Sequence, residues 1–324
     1  MSKAIRFHEV GGPDVLVLEE VALAAPGPGE ARVRHAACGI NFVDVYQRSG
    51  LYPVPLPSGA GTEGAGVVEA VGPGVTTVKP GDRVAYAGGA PGAYSEARNL
   101  PAALLCVLPE GISFEQGAAM MLKGMTVQYL IRRTYRVQPG DTVLWHAAAG
   151  GVGLIACQWL KALGVVVIGT AGTDEKCRLA LEHGAAHCIN YRTGDYVARV
   201  RELTGGEGVP VVYDSVGQAT FAGSLACLRP LGLMVSFGNA SGPVPPVDPG
   251  LLARQGSLYL TRPTLGTYTA RRADLEASSR ELFDAVLSGQ VRIEPGRRYA
   301  LKDAAQAHRD LEARATTGSG ILVA

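Results

Sequence analysis

A turn of small residues between two apolar runs places the strongest constraint on how this chain folds. Residues 143–145 (Val-Leu-Trp) are short enough for a buried strand, and residues 147–153 (Ala-Ala-Ala-Gly-Gly-Val-Gly) follow them. Apolar side chains then recur at helical spacing over 152–163, and 165–168 is a second β-branched run. The stretch 142–176 therefore predicts a strand, a helix and a second strand.

The small residues of this turn give a phosphate access to the backbone. A glycine-rich turn that enters a helix lets N–H groups approach a pyrophosphate, and the helix dipole favours the negative charge. The dinucleotide fingerprint G-x-G-x-x-G is met by residues 148–153, with Ala148 in place of the first glycine. Alone, this match leaves open a turn without a ligand. The flanking strand, helix and strand pattern favours a cofactor site.

The end of the second predicted strand indicates which dinucleotide binds. NAD-binding units carry Asp or Glu there, roughly 20 residues past the fingerprint, to accept a hydrogen bond from the ribose 2′-OH. This chain has Thr170-Ala171-Gly172-Thr173, and Lys176 follows. A lysine at a helix start is commonly only solvated, but beside the missing acid it is a reasonable partner for a 2′-phosphate. We therefore expect NADPH rather than NADH.

Length and composition predict a two-domain globular protein that binds small molecules. At 324 residues the chain exceeds what one hydrophobic core usually supports. A net charge of +1 gives no electrostatic footprint for nucleic acid or an anionic membrane. No signal peptide or membrane span is recognised, and the six scattered cysteines fit free thiols in a reducing compartment. We therefore expect a cytoplasmic protein without a structural zinc site.

The chain changes its pattern near Pro109. Before it, short alternating runs punctuated by Gly and Pro predict an antiparallel β domain of barrel-like character, with strands at 4–8, 15–21, 30–36, 64–71, 83–87 and 93–98 and a helix at 42–48. After it, helices at 114–122 and 126–135 precede six strands that alternate with helices. This alternation predicts a parallel Rossmann sheet with ligands at the carboxyl ends of its strands. Helices at 273–287 and 303–314 and a strand at 320–323 return to the first domain.

Several short motifs point to one family. They are residues 41–46 (Asn-Phe-Val-Asp-Val-Tyr), 48–53, 61–63 (Gly-Thr-Glu), 92–94, 146–153, 213–217 and 236–239. Together with the domain order, they resemble the medium-chain dehydrogenase/reductase superfamily and its zinc-free, zeta-crystallin-like quinone oxidoreductases. The resemblance covers essentially the whole chain. It implies a six-stranded parallel Rossmann domain at 125–263 and a GroES-like antiparallel β-barrel catalytic domain formed by 1–124 and 264–324.

The resemblance also implies catalysis without a metal. Zinc-dependent relatives hold their catalytic metal with Cys and His at the positions that Asn41 and Thr62 occupy here, and they carry a cysteine-rich loop that this chain lacks. Two neutral oxygen-bearing side chains and a carboxylate do not make a tetrahedral nitrogen and sulfur site. We expect no metal.

A quinone is the substrate that this site suits. It is electron-poor and accepts hydride readily, so proximity to the nicotinamide and exclusion of water supply most of the catalysis. Tyr46 and Tyr52 are the candidates for contacting the substrate or polarising its oxygen, although such tyrosines are often only packing residues.

The family pattern assigns the cofactor contacts residue by residue. It places Asn41 and Tyr46 against the nicotinamide ribose and Tyr129 with Gly151 and Val152 at the pyrophosphate. It surrounds the 2′-phosphate and adenine ribose with Gly172, Thr173, Lys176 and Tyr191. The remaining cleft is lined by Ser215, Phe237, Gly238, Asn239, Ala240, Pro263, Thr264, Leu265 and Arg314.

The family also implies a homodimer, joined through the edge strand at 257–262. Two other functions stay open. One is a reductase of activated C=C bonds in enals, enones or enoyl thioesters, which the same superfamily contains. The other is a nucleotide-binding structural or RNA-binding protein, against which the lack of a basic patch argues.

Overall fold

The described residues, 1–323 of a computed structural model, form two compact units. The first unit contains Met1–Met125, Thr269–Ser288 and the chain from Ile293 onward, and the second contains Thr126–Tyr268 and Gly289–Arg292. The division of functions between domains with boundaries at 124/125 and 263/264 stays a prediction. Ala324, the last residue of the predicted first domain, lies outside the described residues.

The elements are numbered in chain order. The strands are β1 (Ser2–Phe7), β2 (Val17–Val21), β3 (Glu30–Gly39), β4 (Ser58–Gly59), β5 (Glu63–Val71), β6 (Arg83–Ala87), β7 (Ala97–Pro101), β8 (Cys106–Val107), β9 (Thr142–Trp145), β10 (Val166–Ala171), β11 (His187–Asn190), β12 (Val209–Asp214), β13 (Leu228–Ser236), β14 (Tyr259–Thr261), β15 (Pro295–Ala300) and β16 (Ser319–Val323). The α-helices are α1 (Phe42–Arg48), α2 (Phe114–Tyr129), α3 (Gly151–Ala162), α4 (Asp174–Glu182), α5 (Tyr196–Leu203), α6 (Phe221–Cys227), α7 (Pro249–Arg254), α8 (Leu265–Tyr268), α9 (Arg272–Leu287) and α10 (Ala304–Glu312).

The first unit is built on two mainly antiparallel sheets. The larger has the order β15-β16-β3-β5-β6-β8, with β7 also paired to β3, and the smaller has the order β2-β1-β4. Strand β16 brings the end of the chain back to β3, with Ile321 opposite Gly39. Apolar side chains of β1, β16 and α10, including Phe7, Leu322 and Ala307, pack together in one buried core cluster. The tail therefore completes the first unit, because its apolar face is covered only there.

The second unit contains one parallel six-stranded sheet with the order β11-β10-β9-β12-β13-β14. Leu144 of β9 lies beside Ile168 of β10 and Val212 of β12, and all three side chains are buried. This confirms the predicted fold class of a parallel Rossmann sheet combined with an antiparallel GroES-like domain. The strand order reverses at β9, so the carboxyl ends of β10, β9 and β12 are the expected ligand edge.

Two predicted helices are one in the structure. Residues 114–122 and 126–135 were predicted as separate helices, but α2 runs unbroken through Gly124 between them and continues into a π-helical turn at Leu130–Thr134. A Cβ on Gly124 would lie 2.6 Å from a methyl group of Leu282 on α9. The glycine therefore allows two helices to pack closely and does not break α2.

The predicted strand at 93–98 is wrong at its start, since β7 begins only at Ala97. The amides of Gly92 and Ala93 both donate to the carbonyl oxygen of Gly61, which is not a ladder pattern. Strand β15, which pairs in parallel with β16, was not predicted. Among residues 1–323, no helix combines the length and apolar character needed to cross a bilayer.

Candidate functional site

The turn between β9 and α3 has the geometry of a phosphate-binding loop. Gly150 is the N-cap of the twelve-residue helix α3, so the amides of Gly151 and Val152 lie in its first turn, where backbone donors lack intrahelical acceptors. A Cβ on Gly153 would lie 2.5 Å from the carbonyl oxygen of Ala148. Only glycine fits there, and its absence of a side chain brings the helix close to the strand.

The structure explains why alanine replaces the first glycine of the fingerprint. Ala148 is fully buried, and its Cβ lies where a side chain on Gly169 of the neighbouring β10 would begin, 2.7 Å from an ideal Cβ at that position. The glycine that the turn lacks at position 148 is matched by Gly169 on the adjacent strand, which leaves room for the Ala148 methyl group. The departure from the fingerprint is therefore compensated locally, and the turn fits a dinucleotide.

Cationic and hydroxyl side chains gather beyond the end of β10. Thr173 caps α4 by accepting a hydrogen bond from the amide of Lys176 at 3.2 Å. A Cβ on Gly172 would lie 2.7 Å from the Tyr191 hydroxyl and 3.5 Å from Nε of Arg192. The structure thus brings together the residues predicted to surround a 2′-phosphate. It adds Arg192, which the sequence analysis did not name. The sequence feature that could have indicated Arg192 is its position directly after Tyr191.

The remaining predicted cofactor residues of the second unit cluster at three neighbouring strand ends. The amide of Ala240 donates to the Ser215 carbonyl oxygen at 3.2 Å, so the loop of Phe237, Gly238, Asn239 and Ala240 after β13 lies against the end of β12. Pro263, Thr264 and Leu265 follow β14, the next strand of the sheet.

Tyr129 is held by a residue that the sequence did not single out. Its ring stacks on Tyr268 with centroids 4.4 Å apart and an interplanar angle of 15°. Arg133 donates to the Tyr268 carbonyl oxygen at 2.8 Å, with its guanidinium 5.2 Å from the centre of that ring. Burial raises the pKa of the Tyr129 phenol, which therefore stays protonated.

The two candidate catalytic tyrosines lie together in the first unit. The ring centroids of Tyr46 and Tyr52 are 5.1 Å apart in an edge arrangement, and the amide of Tyr52 donates to the Tyr46 carbonyl oxygen at 2.9 Å. Tyr46 is buried on α1, whereas Tyr52 is partly exposed. Arg314 follows α10 with a left-handed φ of 56°. Its predicted cofactor contact stays a prediction.

A buried carboxylate, Glu63, anchors the base of this region. Glu63 accepts hydrogen bonds from Nδ2 of Asn41 and from the amide of Leu122, both at 2.7 Å. Its charge is paired with Nζ of Lys123 at 3.3 Å, and both side chains are buried. The side-chain amide of Asn41 is therefore oriented by a fixed partner, as a residue that contacts a cofactor requires.

A second buried carboxylate, Asp44, lies beside it. Asp44 accepts from the amide of Asn41 and the hydroxyl of Tyr94, both at 2.9 Å, and from the hydroxyl of Thr62 at 3.2 Å. Burial raises the pKa of Asp44 to about 7, against the hydrogen bonds from Tyr94 and Asn41, which lower it. Tyr94 also lies 3.2 Å from Nε2 of His308, whose pKa burial lowers to about 3. The sequence analysis included Tyr94 only as part of the motif 92–94, without a role, and did not single out His308.

Within residues 1–323, no group of three or more His, Cys, Asp or Glu side chains is arranged so that it could hold a metal ion. Cys38, the nearest cysteine in sequence to Asn41, donates its thiol hydrogen to the carbonyl oxygen of Ala93 at 2.8 Å. Burial raises the pKa of that thiol to about 12. Cys38 therefore stays protonated.

Comparison with known proteins places this geometry in a family. The chain matches the family model of the alcohol dehydrogenase GroES-like domain over residues 27–110 and that of zinc-binding dehydrogenases over 151–283. It is 57% identical over 324 residues to a quinone oxidoreductase of Pseudomonas aeruginosa, covering 100% of both chains. The structure of Escherichia coli quinone oxidoreductase complexed with NADPH matches with a TM-score of 0.98 at 54% identity, over 99% of this chain and 100% of that one. A 2-haloacrylate reductase of a Burkholderia species is 45% identical, covering 100% of this chain and 99% of that protein.

Asp44 generates a prediction about stability and pH. Because its pKa rises from 3.8 to about 7 on folding, the folded state keeps a proton at pH values where the unfolded chain has lost it. Asp44 therefore contributes stability that is fully present below the unfolded pKa and is lost as the pH rises through the folded pKa. Between pH 5 and pH 8, wild type should lose on the order of 2 kcal/mol of unfolding free energy relative to Asp44→Asn, or several degrees of melting temperature.

Thermal unfolding followed by circular dichroism measures this difference. Asp303→Asn, which changes an exposed carboxyl group of the same unit, is the matched control and should follow wild type at every pH. A difference between Asp44→Asn and wild type that does not change with pH would contradict the assignment.

Proposed function

Since the chain belongs to the quinone oxidoreductase family of the medium-chain dehydrogenase/reductase superfamily, we propose that it transfers reducing equivalents from NADPH to a quinone. The observation that carries the cofactor choice is the end of β10. Neither the end of β10 nor the next two positions, Gly172 and Thr173, carries a carboxylate, and Tyr191 and Arg192 lie beside Gly172. The first acid, Asp174, starts α4 and accepts a hydrogen bond from Nδ2 of Asn190. At the strand end a ribose 2′-OH therefore finds no acid to accept its hydrogen bond, whereas a 2′-phosphate finds a cation and hydroxyl groups.

The backbone of the second unit would hold the rest of the nucleotide. The α3 N-terminus would present the amides of Gly151 and Val152 to the pyrophosphate, and the close packing at Gly153 holds this N-terminus against the turn that follows β9. We propose the contacts of Ser215, Asn239 and the other residues that follow β12, β13 and β14 because these three strands are adjacent in the sheet. The contact of Tyr129, at the end of α2, is proposed because stacking on Tyr268 fixes its ring.

The first unit would act on the nicotinamide and the substrate. NADPH supplies the hydride when it is bound. We propose that Asn41, fixed by Glu63, and Tyr46 orient the nicotinamide ribose, and that the partly exposed phenol of Tyr52 donates a hydrogen bond to the quinone oxygen. Glu63 and Lys123 neutralise each other in a buried pair, so their role is to hold Asn41 in place.

The 2′-phosphate assignment predicts a coenzyme-specific defect. Lys176→Ala should raise the KM for NADPH about ten- to hundredfold, because one charge-assisted hydrogen bond to the phosphate is lost. The KM for NADH should change little, since NADH has no phosphate at that position. Arg192→Ala should shift the same ratio in the same direction.

Steady-state kinetics with both coenzymes and 1,4-benzoquinone measure these ratios. Arg178→Ala is the matched control, because this exposed cation lies on the same helix two residues further along. Equal effects of Lys176→Ala on NADPH and NADH would remove Lys176 from this role.

A second activity, reduction of activated C=C bonds, is favoured by one finding. The relative at 45% identity is named a 2-haloacrylate reductase. Such a reaction needs a proton at carbon after hydride transfer, and we propose Tyr52 as its donor. Tyr52→Phe should then abolish reduction of 2-enals or crotonyl thioester, whereas NADPH oxidation by 1,4-benzoquinone should only be slowed, because the reduced quinone oxygen can take its proton from solvent. If wild type oxidises NADPH with the quinone only, this second activity is excluded.

Strand β14 is the proposed dimer contact. It is one of the two edge strands of the second unit's sheet, and Tyr259 is 62% exposed and Leu260 37% exposed. An uncovered apolar edge strand is a template for pairing, and we propose that a second copy of the chain covers it. Leu260→Glu should lower the mass in sedimentation from twice 33.7 kDa to 33.7 kDa. Leu287→Glu, at an exposed leucine of the first unit, should stay dimeric.

We also propose a reducing compartment, the cytoplasm. The six cysteines are free thiols, and five of them are buried. Thiols persist where glutathione and thioredoxin systems keep them reduced. Recovery of the protein in an oxidising fraction of the cell would contradict this location.

A further inference from the structure

A continuous chain of buried polar side chains lies beneath the nucleotide-binding edge of the second unit. His146 follows β9 directly, and its Nδ1 lies 2.9 Å from the hydroxyl of Thr170 on β10. Its Nε2 lies 3.0 Å from the hydroxyl of Ser224 on α6, which in turn donates to Oδ2 of Asp214 at 2.8 Å. All four side chains are at most 1% exposed. Such a network has to be satisfied internally, because water does not reach it.

The proton positions in this chain follow from counting donors. The single hydroxyl hydrogen of Ser224 is given to Asp214, so Ser224 can only accept from His146. Nε2 of His146 therefore carries the hydrogen, and Nδ1 accepts the hydroxyl hydrogen of Thr170. Burial lowers the pKa of His146, although the Asp214 charge raises it, and the imidazole is neutral. All three hydrogen bonds of the network therefore donate in the same direction, from Thr170 through His146 and Ser224 to the Asp214 carboxylate.

Asp214 ends the chain with all its acceptor positions filled. Its Oδ2 also accepts the Thr220 hydroxyl at 2.7 Å, and its Oδ1 accepts the amides of Val216 at 2.8 Å and Gly217 at 3.0 Å. Those two amides belong to the loop that contains Ser215. The carboxylate therefore fixes the backbone of a loop that is predicted to contact the cofactor.

At the other end of this hydrogen-bond network, backbone bonds of His146 and Thr170 fix the fingerprint turn and the end of β10. The amide of His146 donates to the Tyr213 carbonyl oxygen, and the amide of Ala148 donates to the Thr170 carbonyl oxygen, both at 3.0 Å. Ala147, between them, has a left-handed φ of 53°, which is strained for a residue with a side chain. This conformation is held on both sides by residues bonded to the chain.

We propose that His146, Ser224 and Asp214 are positioning residues for NADPH, which hold the fingerprint turn, the end of β10 and the Ser215 loop in one fixed arrangement. The inference rests on the proposed function, since it takes these segments as the cofactor site. The network touches no reacting atom. It sets how well the three segments are ordered before the cofactor arrives, and thus the cofactor affinity rather than the hydride-transfer step.

Two mild substitutions test the chain from opposite sides of His146. Thr170→Val keeps the shape and removes the donor to Nδ1, and Ser224→Ala removes the acceptor of Nε2. Each should raise the Kd for NADPH about tenfold, because a buried hydrogen bond is lost and its partner is left unpaired. The kcat with 1,4-benzoquinone should stay within about twofold. The double variant should show less than the product of the two single effects, since both act on one imidazole.

Two measurements without a quinone separate positioning from general stability. Fluorescence titration with NADPH gives Kd, and hydrogen exchange of the cofactor-free protein should show faster exchange of the amides at 147–153 and 215–217 in both variants. Thr204→Ala is the control. Its hydroxyl donates to the Val200 carbonyl oxygen at 2.8 Å and accepts from the amide of Gly208 at 3.0 Å, before the start of β12 and so at the opposite edge of the sheet. It should lower the melting temperature and leave Kd unchanged.

The outcomes distinguish the inference from the proposed function. Unchanged Kd and unchanged local exchange in Thr170→Val and Ser224→Ala, with only a lower melting temperature, would overturn the positioning role. A rise in Kd of the same size in Thr204→Ala would overturn it too. If wild type itself fails to bind NADPH, the proposed function fails, while the exchange data still decide whether the network orders the two loops.

Discussion

A carboxylate removed from water has to receive its hydrogen bonds from the protein, and three such groups organise this chain. Glu63 and Asp214 are 0% exposed and Asp44 is 2% exposed. Each receives hydrogen bonds from several separate segments, because a buried carboxyl group with empty acceptor positions costs several kcal/mol of stability. The donors are backbone amides and side chains of loops and helices at the candidate site, such as Leu122 on α2 and Ser224 on α6. These segments are thereby tied to fixed acceptors.

The same requirement explains the division of work between side chains and backbone. In the first unit, Glu63 orients the side-chain amide of Asn41, and Asp44 holds the start of α1. In the second unit, Asp214 and His146 hold backbone turns, and the backbone presents donors to phosphate. Glycine positions complete this design, since Gly153 and Gly172 admit atoms that a Cβ would displace. The candidate site is therefore preorganised by two features together, the hydrogen bonds of buried polar groups and the close approaches that glycines allow.

Much of the fold and part of the site followed from sequence pattern. The alternation of strands and helices predicted the six-stranded parallel sheet, because a buried parallel strand is a short apolar run and each crossover helix has its own periodicity. The absence of an acid at the end of β10, over residues 170–173, was readable for the same local reason. The separation of α2 into two predicted helices was wrong, and Gly124 lies between them. A glycine that ends a helix and one that lets two helices touch cannot be told apart without the packing partner, here Leu282.

By itself the sequence determined the six strands of the parallel sheet, the position of the small-residue turn after β9 and the lysine proposed to meet a 2′-phosphate. These depend on residues that are close along the chain. Only the tertiary structure decided that Ala148 is accommodated by Gly169, that Arg192 stands beside Gly172, and that His146 is bonded to Thr170 and Ser224. Those pairs lie on different strands or helices. Their contacts come from the packing of the sheet, which no periodicity along the chain records.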